Sequence, residues 1–147
     1  MMTELIAAMK QVLANTFQMY FAAHACHWNV TGMYFHSLHG FFGMIYEALW
    51  QSIDPIAEHI RTLKILAPNS IGQLVENFQV SEFTSYPDAQ EMMTGLLGMN
   101  SVTVTSLRNA QQLAEREGLV ELSNFLEDRL DEHAKWEWQL RSHLGMI

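Results

Sequence analysis

Basic residues are scarce. Eight Lys and Arg stand against sixteen Asp and Glu in 147 residues, for a formal net charge of −8 and a pI near 5.2. A phosphate-binding surface needs clustered cations, so this balance argues against a nucleic-acid surface. Cysteine is nearly absent: Cys26 is alone, no internal disulfide can form, and its expected role is that of a small buried hydrophobe. No apolar run reaches the roughly eighteen uninterrupted residues that would suggest a membrane span. The opening MMTELIAAMKQVLANTF lacks a charged start, a long apolar stretch and a small-residue cleavage site. A soluble, unexported, cytoplasmic protein is the expectation. No strand pattern of useful length appears, and Pro is confined to positions 55, 68 and 87.

What is abundant is apolar. Hydrophobic residues make up 49% of the chain, with ten Met, eight Phe, four Trp and four Tyr, more than one thin core requires, and Met and aromatics are favoured at buried interfaces. The apolar positions recur every three or four residues. Leu5, Met9, Val12, Thr16, Tyr20, Ala23 and His27 mark a helix over about 3–30, and Thr31-Gly32 breaks it. Leu38, Phe42, Ile45, Leu49, Ile53, Ile56, Ile60 and Leu63 mark a second over about 34–64, ended by Pro68-Asn69. Residues 65–87 form a long connection with one short amphipathic piece at about 71–78. Pro87-Asp88 opens a third long helix closed by Gly118, and a fourth covers about 119–144 with Gly145 beyond its end. Two tight helical hairpins joined by a long crossover predict an all-α, ferritin-like four-helix bundle, with residues 1–147 as one domain.

Within that frame His27 and His39 lie twelve positions apart, and Asp54 and Glu58 lie one helical turn apart. Imidazoles and carboxylates on helix faces suit a first-row transition metal. If the second helix is unbroken, fifteen residues at 1.5 Å each put His39 and Asp54 roughly 22 Å apart, too far for one ion. The four residues are then either two unrelated halves or one centre assembled across a subunit interface. Asp54-Pro55 offers a plainer alternative: Asp is a favoured N-cap and Pro a favoured first helical residue, so the helix could stop and restart there, with Asp54 as a cap and Glu58 as a surface acid.

The stretch HACHWNVTGMYFHSLHGFF…DPIAEHIRTL resembles the signature of the Dps family, the DNA-protection-during-starvation proteins related to ferritin. The matching positions are His27-Trp28-Asn29-Val30, Gly32, Phe35, Leu38-His39, Asp54, Ala57-Glu58 and Ile60, and the DEHAKW segment extends a weaker likeness over nearly the whole chain. The resemblance implies a ferroxidase centre with His27 and His39 from one subunit and Asp54 and Glu58 from its twofold partner, in a hollow homododecamer. It implies Fe(II) as substrate, peroxide as the favoured oxidant and Fe(III) as the sequestered product. Binding that depends on neutral imidazoles should weaken as pH falls through the range where imidazole protonates. Trp28 is a candidate interceptor of stray oxidising equivalents beside the centre, or else plain core. Glu117 and Glu121 fall where the family lines its iron-entry pores, or else are two solvated acids. His24 and His36 are expected to pack beside the ligands, while His59, His133 and His143 stand in no such pattern.

The chain departs from the family at Gly40, Gly43 and Met44, where many relatives carry further acids. A second iron per centre and an efficient mineral core are therefore in doubt. The two glycines each cost roughly 1 kcal/mol in a helix relative to Ala, so close packing or an adjacent aromatic such as Phe41 or Phe42 should explain them. The basic tail that relatives use to hold DNA is missing, and subunits near −8 repel phosphate, so DNA is not an expected partner. The competing function is a non-catalytic metal-binding assembly, because the same donors suit Zn(II) and the Irving–Williams order favours it over Fe(II).

Overall fold

A computed structural model describes residues 1–147 as five helices: α1 (Met2–Asn29), α2 (Phe35–Thr62), α3 (Ile71–Val75), α4 (Ala89–Arg116) and α5 (Val120–His143). The four long ones form a bundle in which α1 packs on both α2 and α4, and α4 packs on α5. Two apolar clusters fill it. One joins Met19–Val30 of α1 and its end to Leu38–Leu49 of α2, Met92–Met99 of α4, and Trp136 and Leu140 of α5. The other joins Leu5–Leu13, Ile56, Ile60, Leu107–Ala114, Leu122 and Leu126. That pairing of ends makes α1 and α5 run one way, α2 and α4 the other. The segment from 63 to 88 must therefore return along the length of the bundle, the ferritin-like topology expected from the sequence.

The crossover is held by polar side chains of α1. Gln11 and Gln18 donate to the Asn77 and Val80 carbonyls, both at 2.6 Å, and Asn15 donates to Gln79 Oε1 at 3.0 Å. Pro87-Asp88 opens α4 as anticipated, through a capping box: Asp88 Oδ1 accepts from the Glu91 N–H at 2.8 Å, and Glu91 Oε2 accepts from the Asp88 N–H at 2.9 Å. At Gly32 and Gly118 the chain turns with φ of +109° and +73°, which a side chain would strain.

The stop-and-restart alternative for α2 fails: the helix runs through Pro55, and Asp54 caps nothing. A mid-helix proline costs roughly 3 kcal/mol. Burying Ile56 and Ile60 completely, at roughly 1.5–3 kcal/mol per large side chain, is enough to hold the turn closed.

Several large apolar side chains stay exposed on the α1–α2 hairpin. Phe21, Trp28, Met44 and Trp50 project from it, the two tryptophans each 57% exposed, and Met33, Tyr34 and Phe35 continue the series into the turn. Exposed apolar surface of this kind marks an interaction face.

Candidate metal centre

At the end of the hairpin, α1 and α2 bring His27 and His39 face to face, with ring centroids 3.7 Å apart and planes 17° from parallel. Each ring is tied to the other's backbone. His27 Nδ1 lies 2.6 Å from the His39 carbonyl oxygen, and His39 Nδ1 lies 2.7 Å from the His27 carbonyl oxygen. A carbonyl only accepts, so both Nδ1 atoms carry a proton, and in the neutral ring the lone pair falls on Nε2. Neither Nε2 has a protein partner or is sealed from solvent. Two imidazoles are thus held in one tautomer and one orientation by reciprocal main-chain bonds, the support that metal-ligating histidines characteristically receive. Phe35 extends the stack on the far side of His39, 5.0 Å away.

Asp54 and Glu58 lie on the exposed surface of α2, toward its other end. Because the helix is continuous, the roughly 22 Å between His39 and Asp54 stands. No three His, Cys, Asp or Glu side chains of one chain converge on a point that could hold a metal. The chain therefore carries two half-sets of donors, one neutral and one acidic.

Aromatic side chains back the imidazole half. His24 stacks on Tyr46 at 3.8 Å and 7°, and its Nδ1 shares a hydrogen bond with the Tyr20 hydroxyl at 2.9 Å. Burial, with the neighbouring His27 adding to it, lowers the His24 pKa, and burial raises that of Tyr20. His24 is thereby used in packing, as expected. Trp28 lies 4.2 Å from the His24 ring and is exposed, which removes the reading of Trp28 as plain core. His36 is exposed on the first turn of α2. Cys26 is buried, and desolvation pushes its thiol up to about 12. Glu117 caps the end of α4 and Glu121 sits in the first turn of α5, with the Gly118 turn between them.

Gly40 and Gly43 have different reasons. A Cβ at Gly40 would meet open space, whereas one at Gly43 would come within 3.1 Å of His27 Nδ1 and 3.2 Å of Cε1. The neighbour that explains Gly43 is a ring from α1, not Phe41 or Phe42.

His133 lies on the periodic stripe of α5, and periodicity does not show what it bonds. It is fully buried, and Asn100 grips it twice: Asn100 Nδ2 donates to the His133 carbonyl at 3.0 Å, and Oδ1 accepts from Nδ1 at 2.8 Å. Its Nε2 is buried without a partner. Desolvation, with the Arg129 cation behind it, brings its pKa down to about 3. Only an Asn at helical register in the apolar stripe of the preceding helix hints at this pair in the sequence.

The ferritin-like domain model matches residues 6–147. General stress protein 20U of Bacillus subtilis is 28% identical over 145 residues, covering 99% of this chain and all of that protein. A DNA protection during starvation protein of Brevibacillus brevis is 26% identical over 135 residues, 90% of this chain and 89% of that one. Among solved structures, the Dps protein of Vibrio cholerae O1 superposes with a TM-score of 0.91 at 31% identity, covering 97% of this chain and 90% of that one. The helices, their order and this likeness along nearly the whole length agree: the chain belongs to the Dps proteins of the ferritin-like family.

Proposed function

We propose that this protein is an iron-binding ferroxidase whose centre forms between two subunits, with His27 and His39 from one and Asp54 and Glu58 from the other. The observation that carries the proposal is the reciprocal clamp: two imidazoles with Nδ1 committed and Nε2 open, on a chain whose matching carboxylates lie a rigid helix away. In a twofold dimer, if residue i meets residue j then j meets i. His39 can face the partner's Asp54 only if the two α2 helices run antiparallel, with the axis beside about residue 47. Met44 and Trp50, both exposed on α2, flank that point in sequence and give such a dimer apolar surface to bury. The Vibrio cholerae relative is described as a member of the ferritin-like diiron-carboxylate proteins, which supports the same chemistry here.

The donors suit the substrate. Neutral nitrogens bind Fe(II) without adding charge, and two ionised carboxylates stabilise the more highly charged Fe(III) product. Two Fe(II), one from each of the dimer's two centres, each give one electron to a peroxide, which takes up two protons and leaves as two waters. In the assembled shell, which we take to be a cytoplasmic dodecamer of single-domain subunits, Glu117 and Glu121 line the entry pores and attract the cation. A charge of −8 per chain keeps DNA from being a partner, and a gel shift at low salt is expected to show no retardation.

The test is complementation. The double variants His27→Ala/His39→Ala and Asp54→Ala/Glu58→Ala should each lose Fe(II) oxidation. Subunits of the two mixed equally and reassembled should regain about a quarter of the parent rate, because half the dimers are mixed and each rebuilds one of its two centres. Full activity in the acid-less variant, or none in the mixture, would refute the shared centre.

A second reading is favoured by Gly40 and Gly43, which leave the centre without extra acids: a Zn(II)-binding structural assembly. A Listeria innocua Dps structure is described as soaked with zinc, a likeness of fold at 20% identity. Zn(II) binding without Fe(II) oxidation by peroxide or oxygen would select this reading.

A further inference from the structure

We infer that Gly43 is a positioning residue for the imidazole half of the centre. The inference rests on the metal-binding reading above and deepens it. Phe35, His39 and Gly43 follow one another at single-turn spacing on α2 and share a face. The His27 ring enters from α1 between the second and third of them. One face of that ring stacks on His39 at 3.7 Å, and its Nδ1–Cε1 edge lies against the α2 backbone at Gly43, where a Cβ would stand 3.1 Å from Nδ1 and 3.2 Å from Cε1. The atom such a Cβ would press on is the one that donates to the His39 carbonyl at 2.6 Å. His27 therefore occupies the slot that a side chain at position 43 would fill. The ring has little freedom to retreat, because His39 backs it and His39 is itself tied to the His27 carbonyl at 2.7 Å.

Two consequences follow. A side chain at 43 presses the His27 ring back by a few tenths of an ångström and lengthens its Nδ1 bond to the His39 carbonyl. A carboxylate placed there competes with His27 for space, so it does not simply add a donor. The absence of a side chain is thus coupled to the orientation of a ligand, and this half of the centre presents two nitrogens to a single ion.

Gly40 supplies the control. It sits one turn away on the same helix, and its Cβ would meet open space, so Gly40→Ala and Gly43→Ala gain similar helix propensity while only the second touches His27. The experiment compares the parent assembly, Gly40→Ala, Gly43→Ala and Gly43→Asp by Co(II) titration, Co(II) ligand-field spectra and metal-free crystal structures. The parent and Gly40→Ala are expected to match. Gly43→Ala should bind Co(II) about 10-fold more weakly, the loss typical when the support of a metal-bound histidine is disturbed, with a shifted spectrum and no loss of thermal stability relative to Gly40→Ala. Gly43→Asp should weaken the first ion without adding a second.

Gly43→Ala binding as tightly as Gly40→Ala with an unchanged spectrum would overturn the assignment, as would a second Co(II) in Gly43→Asp at undiminished first affinity. If the parent binds no Co(II), the metal reading fails and the clamp is judged separately. A His27 Nδ1 to His39 oxygen distance lengthened from 2.6 Å by a few tenths of an ångström or more in metal-free Gly43→Ala upholds the role of Gly43, and an unchanged distance refutes it.

Discussion

His27 and His39 at the end of the hairpin and His133 in the middle of α5 begin alike. In all three, Nδ1 donates to an amide oxygen and Nε2 is left without a protein partner. They end differently because of where that nitrogen lies. On the hairpin both Nε2 atoms reach the surface beside exposed apolar side chains, while on α5 the atom is sealed among core side chains. The same local bonding thus makes a candidate ligand at one place and a conformational lock at the other. A tautomer alone does not identify a metal site; access does.

The largest effect expected of this contrast is functional. His39→Ala should lower Fe(II) or Co(II) affinity by more than about 100-fold, since it removes a ligand where disturbing a ligand's support alone costs 10–100-fold. It should change the melting temperature little, and equilibrium titration beside calorimetry checks both. His133→Ala should do the reverse: a loss of roughly 2–4 kcal/mol from the cavity and the stranded Asn100, measured by urea unfolding, with metal affinity intact. Equal loss of metal binding in both would dissolve the distinction.

Acid separates them next. His133 titrates near 3 when folded and near an ordinary 6.5 when unfolded, so between those values the unfolded chain holds more protons. Its contribution to stability is complete above about 6.5 and fades as pH falls toward 3, by up to about 1.4 kcal/mol per pH unit. Unfolding free energies of the parent and of His133→Gln across that window should diverge in slope, and parallel curves would count against a neutral buried His133. The smallest effect is at Asp54: exposed and capping nothing, Asp54→Ala should shift stability by less than about 0.5 kcal/mol, and a loss near the 1 kcal/mol typical of an N-cap would mean that it serves the helix after all.

Much of this was legible in the sequence. Apolar spacing places each long helix within about two residues of its observed ends, and Pro87-Asp88, Gly118 and Gly145 mark boundaries where caps and turns occur. The spacing of His27, His39, Asp54 and Glu58 suffices to show that one rigid helix separates the halves. What it leaves undecided at Asp54-Pro55 is a competition between a proline penalty and the burial of Ile56 and Ile60, which only packing resolves. Gly43 and His133 stay hidden for a related reason. Each is explained by a partner on another helix, His27 in one case and Asn100 thirty-three residues away in the other, and a linear pattern records neither approach. Trp28 follows the apolar stripe yet faces outward, because the stripe on α1 is wider than one bundle can cover.

Cys26 stands next in sequence to a histidine assigned to peroxide chemistry, and its sulfur is buried and protonated, with a pKa of about 12. Thiolate, not thiol, attacks peroxide. If the proposed centre consumes peroxide, a thiol kept protonated in this way is a poor competitor for that oxidant, which disfavours sulfenic acid at Cys26 and mixed disulfides between neighbouring copies.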